Sequence, residues 1–214
     1  MSHEVAGLLL AAGASRRLGE PKQLLADATG VPAVLRMTRA LRDAGCASVY
    51  VVLGAAEAQV GAVLRDEPVR SVRHSEWSRG MGSSIAAGLK AIRDDDGGVR
   101  GVLIAPCDMP SVDTAHLRAL LDRFDGSHRV ASEYGEHEGR VTRGIPAILP
   151  HTDWGWLQTL SGDSGARPLF RDAHVLTVPL PLGTLDLDTP ADVRRWRAET
   201  RPHSLSLPHS PSPH

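Results

Sequence analysis

Directly after an apolar run from Gly7 to Ala12, the chain carries Gly13, Ser15, Arg16, Arg17 and Lys22, a grouping suited to holding phosphates. Gly13 lets backbone amides turn toward an anion, while arginine offers a bidentate fork and lysine a point charge. A second group ends the run VLIAPCDMP, where Asp108 is delivered to the carboxyl edge of a strand. Magnesium takes one or two carboxylates together with substrate phosphate oxygens and water, so Asp108 is a suitable ligand. A third lies in LDLDTPAD, where Asp186 and Asp188, two residues apart, share a face of extended chain and need a cation to offset their repulsion. A fourth is WSRGMGSS, in which Gly80 precedes a helix whose first turn holds Ser83 and Ser84, a helix start suited to a ribose or base edge. The same residues also have plain structural readings: Ser83 as a helix cap, and Thr189, Pro190 and Asp192 as a helix start.

Two familiar phosphate loops do not fit. A P-loop requires Gly-Lys followed by Ser or Thr, whereas Gly19 is followed by Glu20, Pro21, Lys22 and Gln23. A dinucleotide fingerprint requires G-x-G-x-x-G, and Gly13-Ala14-Ser15-Arg16 lacks its second glycine. A dehydrogenase would also end its second strand on an acidic residue, where this chain has Leu53-Gly54.

The elements that must position these residues alternate along the chain. Strands are expected at Val5–Ala12, Ser48–Leu53, Val69–Val72, Val99–Ala105, His128–Ser132, Ile145–Leu149 and His174–Val178. Helices are expected at Pro32–Ala44, Glu57–Arg65, Met81–Ile92, Thr114–Phe124 and Pro190–Glu199, each with apolar residues at three- and four-residue spacing. Such alternation predicts an α/β fold with a mostly parallel sheet covered on both faces, and ligands beyond the carboxyl ends of the strands. One domain is expected over residues 1–200, followed by a disordered Pro/Ser/His tail over 201–214. The tail's His203, His209 and His214 have no scaffold to arrange them around a metal.

With 24 basic and 25 acidic residues among 214, the chain has no overall field to draw nucleic acid or a membrane surface, so anion binding must be local. Cys46 and Cys107 lack metal-site spacing and read as reduced, buried thiols. No apolar run is long enough for a bilayer and no secretory leader is evident, so the cytoplasm is the expected location.

The segment LLLAAGASRRLGEPKQLL resembles the signature of the MobA-like nucleotidyltransferases, most closely the molybdenum cofactor cytidylyltransferase branch. The resemblance implies a Rossmann-like three-layer α/β/α fold of the nucleotide-diphospho-sugar transferase type. It implies transfer of a CMP or GMP group from the triphosphate to a phosphate on an acceptor such as a molybdopterin, with release of pyrophosphate. Magnesium on Asp108 and on Asp186 or Asp188 is the implied cofactor, with Asp186 favoured of the pair. Arg17, Lys22 and Asp108 are the implied catalytic residues. Leu10, Ala11, Ala12, Gly13, Ser15, Arg16, Gly80, Ser83 and Ser84 complete the implied nucleotide site. Ala11-Ala12 before Gly13 favours CTP over GTP. His74 stands where the family often has asparagine. Toward the acceptor, Gly144 and Pro146 match a Gly-x-Pro element, and Gly162, Asp163, Gly165 and Arg167 match Gly-Asp-x-Gly-Ala-Arg. Trp154 and Trp156 offer rings to a flat heterocycle. A molybdoenzyme or maturation protein is the implied partner. The rivals are an oxidoreductase-labelled relative of the same family and a nucleotide-binding protein without catalysis.

Overall fold

The computed structural model describes residues 4–95, 98–137, 140–162, 165–172, 174–181, 187 and 189–199. Its strands are β1 (Val5–Ala11), β2 (Ser48–Leu53), β3 (Arg70–Arg73), β4 (Gly101–Pro106), β5 (Val130–His137), β6 (Arg140–Pro150) and β7 (Leu176–Pro179). Its helices are α1 (Ala33–Ala44), α2 (Glu57–Val63), α3 (Met81–Asp95), α4 (Thr114–Arg123), a single turn α5 (Trp154–Leu157) and α6 (Pro190–Glu199).

The strands form one sheet in the order β3-β2-β1-β4-β6-β5-β7. β1 pairs in parallel with β2 and β4, β2 with β3, and β5 with β7, while β6 runs antiparallel to both β4 and β5. This is the mostly parallel mixed sheet that the alternating pattern predicts. β1, β2 and β4 are continuous apolar runs because both faces are covered, and their side chains divide between two core clusters. Leu9, Val51 and Leu103 join α1 and α4 on one face, whereas Leu8, Tyr50, Val102 and Ile104 join α3 on the other. α3 lies close to β1 at Gly88, where a β-carbon would strike Leu8. α4 starts where Asp113 accepts the His116 backbone N–H at 2.8 Å, the cap its sequence position suggests.

Two expectations are corrected. β5 and β6 are longer than the apolar runs at His128–Ser132 and Ile145–Leu149 suggest, because their polar distal halves pair with each other beyond the core. α5 was not expected, since one turn is too short to display a helical period. The tail, residues 201–214, lies outside the described residues.

Candidate active site

β1 ends at the phosphate-type loop, and the loop's shape is fixed by its own polar groups. Buried Gln23 donates its amide hydrogens to the Ala11 carbonyl at 3.0 Å and the Gly13 carbonyl at 2.7 Å, tying the strand end to the turn. Ser15 has a left-handed backbone, φ 50°, which costs a non-glycine residue free energy unless its neighbours hold it. They do: Ser15 Oγ accepts the Lys22 backbone N–H at 2.9 Å, and its carbonyl accepts from Leu18 and Gly19 at 3.0 and 3.3 Å. Gly54, at the end of β2, lies so near that a β-carbon there would be 2.5 Å from the Ala12 carbonyl and 2.7 Å from Trp77 Cβ. Ala12, Gly54 and Trp77 thus close the floor of the loop.

The cationic and anionic groups meet at this edge. Asp108 follows β4 and its Oδ2 accepts a hydrogen bond from Lys22 Nζ, with side chains only 17% and 19% exposed. The pair sits in a cleft of about 550 Å³ that Leu10, Ala12, Gly13, Ser15, Arg16 and Arg17 also line. Gly80 and Ser84, from the start of α3, form another part of its wall. The cleft thus brings these residues together at one edge of the sheet.

The other expected residues among those described lie outside this cleft's lining. Ala11 is buried and contributes its carbonyl to Gln23 rather than a surface to the cleft. Ser83 donates to the Gly80 carbonyl at 2.7 Å and therefore accepts from His74 Nε2 at 2.9 Å, which fixes a hydrogen on that nitrogen. Both residues line a separate cavity of about 610 Å³. Burial lowers the His74 pKa, Glu76 opposes that shift and Arg79 adds to it. On the acceptor side, the Gly162 carbonyl accepts from Gly82 N at 3.0 Å, bringing this motif to the start of α3. Gly165 lies against Met81, a residue of the cleft wall, and Arg167 is exposed at the head of a 3-10 turn. Gly144 and Pro146 sit on β6 at a register shift, beyond the Ile104–Ala147 pairing and toward the carboxyl end of β4. Trp154 is buried in the core beside His151, while Trp156 is 40% exposed. Asp163, Asp186 and Asp188 lie outside the described residues.

Two further features carry little sequence signal, and a third is the buried thiol read at Cys107. Gln23 reads as one polar residue in KQLL, and only its burial reveals its task. A small apolar cluster of Leu25, Leu187, Val193 and Trp196, with Leu18 against it, packs α6 onto the loop, and Leu187 N donates to the Asp108 carbonyl at 3.2 Å. Cys107 is a buried thiol whose pKa burial pushes far up, with the Asp108 charge adding to the effect, so it stays protonated beside the site.

The donors present fit a hard divalent cation. A single strand-end carboxylate beside a phosphate-type loop leaves most coordination positions to nucleotide oxygens and water, the pattern magnesium and manganese favour. Among the described residues no group of three His, Cys, Asp or Glu side chains clusters.

A model of the MobA-like NTP transferase domain matches residues 7–178. The chain belongs to this family. It is 35% identical over 173 residues to nicotine blue oxidoreductase of Paenarthrobacter nicotinovorans, covering 78% of this chain and 81% of that protein. It is 28% identical over 202 residues to the purine catabolism protein PucB of Bacillus subtilis (strain 168), covering 87% and 92%. A nucleotidyl transferase from Methanothermobacter thermautotroptrophicus superposes with TM-score 0.76 at 25% identity, over 91% of this chain and 96% of that one. The manganese complex of Rv0371C from Mycobacterium tuberculosis H37Rv does so with TM-score 0.72 at 25% identity, over 91% and 98%. The sheet is accordingly that of the nucleotide-diphospho-sugar transferase type, and nucleotidyl transfer with a divalent metal is the general chemistry of the family. No helix of the described residues is long and apolar enough to cross a membrane.

Proposed function

We propose that the protein is a magnesium-dependent nucleotidyltransferase that moves CMP, in preference to GMP, from the triphosphate to a phosphate on a small acceptor of the molybdopterin type. The observation that carries this reading is the meeting of Lys22 and Asp108 from separate strand ends in one cleft beside Arg16 and Arg17. An acceptor phosphate oxygen attacks the α-phosphorus, a new P–O bond forms, and the bond to the bridging oxygen breaks so that pyrophosphate leaves with the electron pair. The protein needs no nucleophile for this; it positions the groups and neutralises charge. Lys22 moves from the carboxylate of Asp108 to the incoming phosphates, and Arg17 and Arg16 meet the charge that accumulates on the leaving pyrophosphate. Asp108, with Asp186 or Asp188, would hold the magnesium, which would supply positive charge to the phosphate oxygens. The hydrogen bond from Leu187, the residue between those two aspartates, to Asp108 supports that pairing.

Gly80 and Ser84 hold the nucleoside end, with Ser83 fixing the turn that presents them. Gly144, Pro146, Gly162, Asp163, Gly165 and Arg167 receive the acceptor. The preference for CTP rests on Ala12, the second residue of the Ala11-Ala12 pair, whose methyl group discriminates by about 1 to 3 kcal/mol. The domain spans residues 1–200 and works in the cytoplasm, delivering its product to a molybdoenzyme or its maturation partner.

Pyrophosphate release from CTP and GTP, with a phosphorylated pterin acceptor and with or without magnesium, tests this directly. Magnesium-dependent release with CTP ahead of GTP is expected, and no release from either nucleotide would overturn it. A second reading, oxidoreduction, draws on the 35% identity to a protein of that name. Binding and oxidation of NADH, without pyrophosphate release from either nucleotide, would favour it.

A further inference from the structure

Arg36 extends from α1 beneath the turn that follows Asp108. Its Nη2 donates to the Met109 carbonyl at 3.0 Å and its Nη1 to the Val112 carbonyl at 2.6 Å, so one guanidinium spans the turn from the residue after Asp108 to its far end. The side chains of Met109 and Val112 are buried in the core on the α1 and α4 face, so the turn is held there by packing as well as by its two carbonyl bonds to Arg36. Arg36 Nε is buried without a partner, so this cation is partly desolvated for the sake of two main-chain bonds. Asp27 and Asp113 are the carboxylates that face it, and neither lies in the cleft. Bonds of this kind, one shell behind a metal ligand, govern its orientation and hence its affinity for the ion. A flat fork matches two carbonyls at a fixed separation, which a lysine ammonium does not.

We propose that Arg36 is a positioning residue that sets the orientation of Asp108 for a divalent cation by clamping the carbonyls of Met109 and Val112. The inference rests on the reading of Asp108 as a metal ligand. The test is Mn²⁺ titration followed by electron paramagnetic resonance, in the presence of CTP, on the full chain and its Arg36→Met, Arg36→Lys and Asp108→Asn variants, with thermal melting alongside. Arg36→Met is expected to weaken Mn²⁺ binding about tenfold or more and Arg36→Lys by less, with CTP affinity in the absence of metal unchanged. Wild-type Mn²⁺ affinity in folded Arg36→Met would overturn the inference alone. If Arg36→Met fails to fold, Arg36→Lys decides: weakened Mn²⁺ binding supports the clamp and wild-type affinity overturns it. Equal Mn²⁺ binding by wild type and Asp108→Asn, or none by wild type, would instead overturn the reading of Asp108 and this inference with it.

Discussion

The two halves of the sheet carry their loops in different ways. In the parallel half, β3-β2-β1-β4, successive strands all end at one edge, and the loop after β1, the turn after β4 and the start of α3 converge there on one cleft. In the other half, β6 runs against its neighbours, Gly144 and Pro146 sit at a register shift in mid-strand, and Arg167 heads a 3-10 turn. Two polar side chains of that half bond to carbonyls of β6: Ser132 donates to the Pro146 carbonyl at 2.6 Å and Tyr134 to the Ile145 carbonyl. Parallel strands thus gather charges from distant parts of the sequence at one point, and none of the antiparallel arm's described residues lines that cleft.

This contrast makes mutations in the two halves separable. The largest effect is expected from Lys22→Ala or Asp108→Ala: loss of one charge contact in the transition state costs about 2.7 to 4 kcal/mol, roughly a hundred- to a thousandfold in kcat. Pyrophosphate release checks this, and circular dichroism should show the fold intact. Gly54→Ala comes next, since its methyl would meet the Ala12 carbonyl, and overpacking of this kind costs about 1 to 3 kcal/mol. Denaturant unfolding should show that loss together with weaker CTP binding. Arg167→Ala tests the other half: the KM for the acceptor should rise about tenfold, as for a lost charged hydrogen bond, with CTP affinity unchanged. An equal loss of CTP affinity would erase the division between the halves.

The smallest effect concerns pH. His116 on α4 bonds through Nε2 to buried Ser132 at 2.8 Å, and burial lowers its pKa while Asp113 partly opposes the shift. Since the unfolded chain takes up the proton first, the stability due to the neutral ring is present above about pH 6.5 and is lost as pH falls toward the depressed folded value. His116→Gln should flatten the melting temperature between about pH 7 and 5. Catalytic turnover, set by the parallel half, should keep its pH profile.

The same contrast explains what was legible in the sequence. β1, β2 and β4 are buried on both faces, so their uninterrupted apolar runs mark them within two residues, and the loops that follow inherit that precision. Arg140 to Arg143 lack any apolar alternation because they pair beyond the core, so β6 reads from sequence as if it began at Ile145. The cleft's charged residues stood out by type and spacing. Gln23 and Arg36 did not, since their work is done on backbone carbonyls, and a carbonyl partner leaves no trace in residue identity. Ser83 could be read either as a ligand contact or as a helix cap, and its partners His74 and Gly80 are visible only in the fold.

Calorimetric titration of CTP into wild type and Asp108→Asn, each with and without magnesium, bears most directly on the site at the heart of this account. Magnesium should tighten CTP binding to wild type and leave the variant almost unchanged. Equal tightening in both proteins, or none in wild type, would contradict a role for Asp108 in holding a metal against the triphosphate.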